Sequence, residues 1–136
     1  MKRGRLLNRH LSTLIASLGH LDEIVIADAG LPVPAGVTVI DLAVSQGIPS
    51  FWDVVQAVRS ELIIEAAVRA IETPDELAEQ MTMVIGAWAH ETGRDVALSA
   101  TPHEALKERT RHAKAVVRTG EFAPYCNLIL VSGVAF

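Results

Sequence analysis

The sequence predicts a three-layer α/β domain with a largely parallel or mixed central sheet. Three observations carry the expectation. Apolar runs too short for helices alternate with stretches whose apolar residues recur at helical spacing. Two proline-containing helix starts, Thr73-Pro74-Asp75-Glu76 and Thr101-Pro102-His103-Glu104, repeat one grammar. The chain has 136 residues, 50% of them apolar, which suits one compact core and a single domain over 1–136.

The elements follow in order. Leu11, Leu14, Ile15 and Leu18 form one helical stripe with Asn8 as its N-cap, and Gly19 is expected to stop that helix in the left-handed conformation. Ile24-Val25-Ile26-Ala27 is continuously apolar and short, so it reads as a strand covered on both faces, with Asp28 just past its end. Leu31-Pro32-Val33-Pro34 lacks two backbone donors and is restricted in φ, a stiff loop. Val37-Thr38-Val39-Ile40-Asp41 is a second strand that also ends on an aspartate.

Gln46-Gly47-Ile48-Pro49 is a turn. Ser50 caps the next helix with Asp53 in a near capping-box position, and Phe51, Val54, Val55 and Val58 are its buried stripe. Leu62-Ile63-Ile64-Glu65-Ala66 reads as a strand, with helix the alternative for so short a run. Thr73 as cap and Pro74 at the first position open a helix carried by Leu77, Met81, Val84, Ile85 and Trp88 to a stop at Gly93. Val96-Ala97-Leu98 is a strand, and Glu104 takes the capping-box position of the helix after it. Ala115-Val116-Val117-Arg118 and Leu128-Ile129-Leu130-Val131 are the last strands, joined by a glycine- and proline-bearing loop over 119–127. The alternation makes the expected architecture Rossmann-like.

Composition excludes several functions. Aromatic residues are 4% of the chain and net charge is -4 without a basic block, so base stacking, nucleic acid and anionic membranes are disfavoured. No run approaches the length that spans a bilayer. Lys2, Arg3 and Arg5 imitate a signal-peptide start, but Asn8, Arg9 and His10 interrupt it, so no cleavable signal is expected. The single cysteine, Cys126, excludes an internal disulfide and is compatible with the cytoplasm, the expected location. No dinucleotide fingerprint, phosphate loop, zinc spacing or nucleophile elbow is present, so dinucleotide, nucleotide triphosphate and histidine-held zinc sites are disfavoured. Cys126 has no neighbouring base in sequence to make it a nucleophile. The apolar Val134-Ala135-Phe136 is expected to be buried in a subunit contact.

What remains is a polar set at element ends: His20, Asp28, His103, Tyr125 and Asn127. Each has an ordinary reading. His20 can satisfy a helix C-terminus, and Asp28 can close a turn ahead of Gly30. His103 can be a solvated residue at a helix start, and Tyr125 and Asn127 can be packing and a turn. The alternative is a shared site. The carboxyl edge of a sheet is where ligands bind in open α/β folds. Neutral and singly acidic hydrogen-bonding groups suit a small polyhydroxylated ligand, and histidine moves protons near neutral pH. His20 lies before the first strand and Asp28 after it, so they share a site only if the His20 loop folds back or a second subunit supplies one of them.

At these residues the chain resembles the D-ribose pyranase family, which includes the L-fucose mutarotases. The matching segments are Leu18-Gly19-His20, 28–34, Ile40-Asp41-Leu42-Ala43, 46–51, Thr101-Pro102-His103-Glu104, 117–121 and Pro124-Tyr125-Cys126-Asn127. The resemblance runs from Met1 to Phe136 and departs at Arg9-His10, in a shorter middle over 70–93, and at Cys126, where alanine is usual. It implies a cofactor-free isomerase that interconverts pyranose and furanose forms of β-D-ribose. By it, His20 is the proton donor, and Asp28, His103, Tyr125, Cys126 (through its backbone) and Asn127 hold the sugar. It also implies a homo-oligomer, typically a decamer of two pentameric rings, with sites near subunit boundaries. The alternatives are a fucose-type anomer mutarotase and a non-catalytic sugar-binding accessory protein of ribose uptake.

Overall fold

The computed structural model describes residues 1–136. Strand β1 (Glu23–Ala27) is flanked by β5 (Ala115–Arg118) and β6 (Leu128–Ser132). With β2 (Thr38–Asp41), β3 (Ile64–Ala70) and β4 (Ala97–Thr101) they form one sheet of six strands in the order β2-β5-β1-β6-β3-β4. Only β6 runs against its neighbours, so the sheet is mixed and largely parallel, as expected. Five strands therefore end at one edge, and β6 begins there. That edge gathers Asp28, Asp41, Arg118 and Asn127 from positions far apart in the chain.

Successive strand side chains point to opposite faces, and the two faces have separate cores. Helices α1 (Arg9–Ser17), α2 (Phe51–Arg59) and α3 (Asp75–Thr92) cover one face, where Phe51, Met81, Ile85 and Trp88 pack on Ile24, Ile26 and Leu130. The short helix α4 (His103–Arg109) and the loop carrying Leu31 cover the other, packing on Val25, Val116 and Ile129. The result is three layers, with the thin layer on the α4 side. Arg109, at the far end of α4, makes a doubly bonded ion pair with Glu23 at the start of β1. This tether leaves His103, at the near end of α4, at the opposite edge of the sheet. No helix is long and apolar enough to cross a membrane.

Local signals set most boundaries. Asn8 Oδ1 accepts from the N–H groups of His10 and Leu11 at 3.0 Å, capping α1. Ser50 and Asp53 form a reciprocal capping box on α2. Gly93, at φ 65°, ends α3 in the left-handed conformation.

Four expectations are corrected. Gly19 is not left-handed: α1 ends at Leu18 in an extended conformation, and the positive φ (68°) falls on Leu21. The reason is a turn from Gly19 to Asp22, closed by Asp22 N–H on the Gly19 carbonyl and by the Asp22 carboxylate on Gly19 N–H, with Leu21 N–H bound to the Ser132 carbonyl. Thr73 does not cap α3. Pro74 occupies the N-cap without a side-chain bond, and the Thr73 hydroxyl donates to the Tyr125 carbonyl instead. Glu104 makes no capping box, because Pro102 is the N-cap and Glu104 pairs with Lys107 at 2.6 Å. The third strand is Ile64–Ala70, later and longer than residues 62–66, because pairing with both β4 and β6 recruits Ala66 to Ala70.

Candidate active site

Ala27 closes β1, and its carbonyl is held twice by Thr119, through the N–H at 3.0 Å and the hydroxyl at 2.8 Å. Asp28 is the first residue out of the strand, and its conformation is locked. Its N–H donates to Asn127 Oδ1 at 2.9 Å, and Asn127 Nδ2 donates to Asp28 Oδ2 at 3.0 Å. Gly30 N–H donates to Asp28 Oδ1 at 2.9 Å, so Asp28 makes the predicted turn as well. Each carboxylate oxygen has one internal donor. A carboxylate has about four acceptor positions, so capacity remains for hydroxyls of a ligand. Asn127 is fully buried and supports Asp28 from behind.

The facing wall is aromatic. His103 opens α4, and its ring meets the Tyr125 ring edge-on, with centroids 5.0 Å apart at 83°. Tyr125 is held at φ 58°, a conformation non-glycine residues seldom adopt. His103 Nδ1 is buried and no protein atom hydrogen-bonds it. Unpaired buried polar atoms are uncommon and costly.

The base of the cleft is rigid. Arg118 donates through Nε to the Ala29 carbonyl at 2.9 Å, and its Nη1 donates to both Asp41 oxygens at 3.1 Å. Glu121 accepts from the N–H groups of Phe122 and Ala123 at 3.0 Å, while its carbonyl receives Ala29 N–H. Gly120 has no alternative: a Cβ there would stand 2.6 Å from backbone atoms of Ser45 and Ile48. Asp28, Gly30, His103, Arg118, Glu121 and Tyr125 are among the residues lining a cleft of about 500 Å³. Nowhere do three His, Cys, Asp or Glu side chains converge as metal ligands would.

The family model described as the RbsD / FucU transport protein family matches residues 1–135. The chain belongs to that family. Relatives named D-ribose pyranase from Vibrio vulnificus (strain YJ016) and from Yersinia enterocolitica are 47% and 44% identical to it, with each pair covered over 100% of both chains. The solved structure of Bacillus subtilis RbsD complexed with D-ribose superposes with a TM-score of 0.86 at 41% identity, covering 100% of both chains. The fucose mutarotase of Streptococcus pneumoniae, solved with L-fucose, shares the fold at a TM-score of 0.74 and 23% identity, covering 98% of this chain and 99% of that one.

In this member of the RbsD / FucU family the predicted residues separate into two groups. Asp28, His103 and Tyr125 line the cleft, and Asn127 backs it. The Cys126 side chain is buried in the core shared with α2 and α3, and Cys126 does not line the cleft. Burial, and then the charges of Glu121 and Asp28, push its thiol well above the ordinary range, so it is no thiolate nucleophile. His20 lies at the other edge of the sheet, where Nε2 stands 2.9 Å from Glu65 Oε2. It borders a different cleft of about 500 Å³, formed with Ile15, Leu18 and Phe136. A strand rises about 3.3 Å per residue, so the five residues of β1 keep His20 and Asp28 on the order of 15 Å apart or more within one chain. The His20 loop does not fold back. The cleft residues Arg118 and Glu121 had no predicted role, although Arg118 carries the signal that marked Asp28, a polar group at the end of an apolar strand.

Proposed function

We propose that this chain is a cofactor-free isomerase interconverting the pyranose and furanose forms of β-D-ribose. The observation that carries the reading is an end-to-end match to proteins named D-ribose pyranase, in a chain whose cleft offers hydroxyl-binding groups. Those groups are the locked Asp28 carboxylate, the unpaired His103 Nδ1 and the Tyr125 hydroxyl.

Opening a hemiacetal removes a proton from the anomeric hydroxyl and delivers one to the ring oxygen. The open aldehyde is then recaptured by O4 in place of O5. O4 gives up its proton and the carbonyl oxygen takes one, so the proton count closes without a cofactor. Asp28 holds sugar hydroxyls, His103 and Tyr125 bind others across the cleft, and Asn127 acts through Asp28. The peptide at Cys126 is close enough in sequence to contribute a backbone contact. His20 supplies the proton to the ring oxygen. A positioned acid-base group contributes roughly a hundredfold to ten-thousandfold, enough for a reaction that proceeds slowly in water.

His20 reaches the sugar from a second copy of the chain, in a closed homo-oligomer for which family resemblance favours a decamer of two pentameric rings. The separation of His20 from Asp28 supports a site shared between copies. So do the exposed apolar side chains of Phe136, which lines His20's cleft, and of Leu21, the residue that follows His20. The same resemblance favours a cytoplasmic location and a single domain over 1–136.

Saturation-transfer proton NMR tests the activity. The protein should accelerate exchange between ribose pyranose and furanose, and His20→Ala should abolish the acceleration while the particle keeps its size in light scattering. Acceleration of L-fucose anomer exchange in place of ribose exchange would overturn the substrate, and ribose binding without acceleration would overturn the enzyme.

A further inference from the structure

We propose that Glu72 and Thr73, consecutive residues of the β3–α3 loop, are positioning residues that set the two rings of the cleft wall. The inference rests on the reading of this cleft as the sugar site.

The loop leaves the same sheet edge as Asp28 and sends two side chains in different directions. Glu72 Oε2 accepts the backbone N–H of His103 at 2.9 Å, across 31 positions of sequence. The buried Thr73 hydroxyl donates to the backbone carbonyl of Tyr125 at 3.1 Å, across 52 positions. One dipeptide thus grips the backbone of both residues whose rings meet at 5.0 Å. Each grip occurs where the local sequence provides none. Pro102, at the N-cap of α4, has no side chain able to accept the helix's first N–H groups, and a carboxylate from another loop does so. Tyr125 carries a positive φ that its own side chain disfavours, and such residues persist when their surroundings overdetermine them. The loop itself is fixed by Ile71 N–H on the Thr101 carbonyl and Thr73 N–H on the Ala70 carbonyl. Neither residue lines the cleft, so both act through the residues they hold.

The test uses Thr73→Val, which keeps the shape and loses the donor, and Thr73→Ser, which restores it. Glu72→Ala removes an exposed acceptor, and Glu72→Gln keeps one. Tyr125 is the only tyrosine of the chain, so 3-fluorotyrosine labelling gives a single ¹⁹F resonance that reports its position. Thr73→Val and Glu72→Ala should each weaken D-ribose binding about tenfold by calorimetry, and Thr73→Val should shift or broaden the ¹⁹F line of the free protein. Thr73→Ser and Glu72→Gln should stay within about threefold of the parent in affinity. Parent-like affinity and an unmoved ¹⁹F line in the folded Val and Ala variants overturn the proposal. If Thr73→Val does not fold, the solvent-exposed Glu72→Ala decides by affinity alone. Failure of the parent protein itself to bind ribose overturns the sugar reading, a separate outcome.

Discussion

Asp28 and Asn127 stand 99 positions apart in sequence and exchange two hydrogen bonds, main-chain N–H to amide oxygen at 2.9 Å and amide NH₂ to carboxylate at 3.0 Å. The pairing fixes the amide's orientation, because only one assignment of its oxygen and nitrogen satisfies both partners. It also joins the end of β1 to the start of β6, the one antiparallel neighbour, so the reversed strand places a support behind the carboxylate.

Asn127→Leu should therefore damage the site twice. The Asp28 N–H loses its acceptor and the carboxylate loses its brace, and an unsatisfied buried group costs about 1–3 kcal/mol. Urea unfolding should register that loss, with ribose affinity falling at least tenfold by calorimetry. Full stability together with full affinity would mean that the pair is incidental.

His103→Leu should separate stability from binding. The parent buries Nδ1 without a protein partner, and an apolar side chain of similar size removes that penalty. Thermal unfolding should stay level or rise by a few degrees while ribose affinity falls about tenfold, the trade expected where a binding group is held at a cost to the fold. A large drop in melting temperature would identify His103 as a structural residue instead.

The fold was legible where local chemistry decides it. The continuous apolar run of β1, the Ser50–Asp53 box and Gly93 all act within a few residues of themselves. Thr73 and Glu104 carry equally good local signals yet cap neither helix, because each finds a different partner: Tyr125 for the first and Lys107 for the second. The edge position of Asp28 was readable from its strand, and the same rule extends to Arg118. Asn127's support of Asp28 was not readable, since nothing near either residue announces a contact 99 positions long. The distance between His20 and Asp28 followed from the strand between them, and the folded chain keeps them apart.

Cys126 predicts an alkaline limit. Its thiol is raised in the folded chain by burial first and by the charges of Glu121 and Asp28 after that. The unfolded thiol ionises near 8.5. Above that pH the unfolded chain binds fewer protons than the folded one, so stability falls as pH rises, by up to about 1.4 kcal/mol per unit. Below it the term is absent. Urea midpoints from pH 8 to pH 10.5 should decline more steeply in the parent than in Cys126→Ala. Equal slopes would show that the thiol is not protected, and rapid alkylation of the native protein by iodoacetamide at pH 8 would show the same.

A shared site makes a prediction that a site within one chain cannot match. His20→Ala and Asp28→Asn should each be inactive alone, since every site then lacks either its proton donor or its sugar ligand. In a closed ring built from one repeated interface, each site takes one residue from each of two neighbouring copies. Random co-assembly of the two variants in equal amounts then leaves roughly a quarter of sites with both native residues, the statistical share for two independent choices. Co-refolded mixtures should recover about that fraction of parental ribose exchange, while separately folded variants mixed without exchange of subunits should recover none. The recovered fraction should rise and fall with mixing ratio and peak at equal amounts, because the restored sites depend on the product of the two populations. A mixture that stays inactive at every ratio, with light scattering showing intact mixed particles, would return His20 to its own chain and leave Glu65, 2.9 Å away, as its only identified partner.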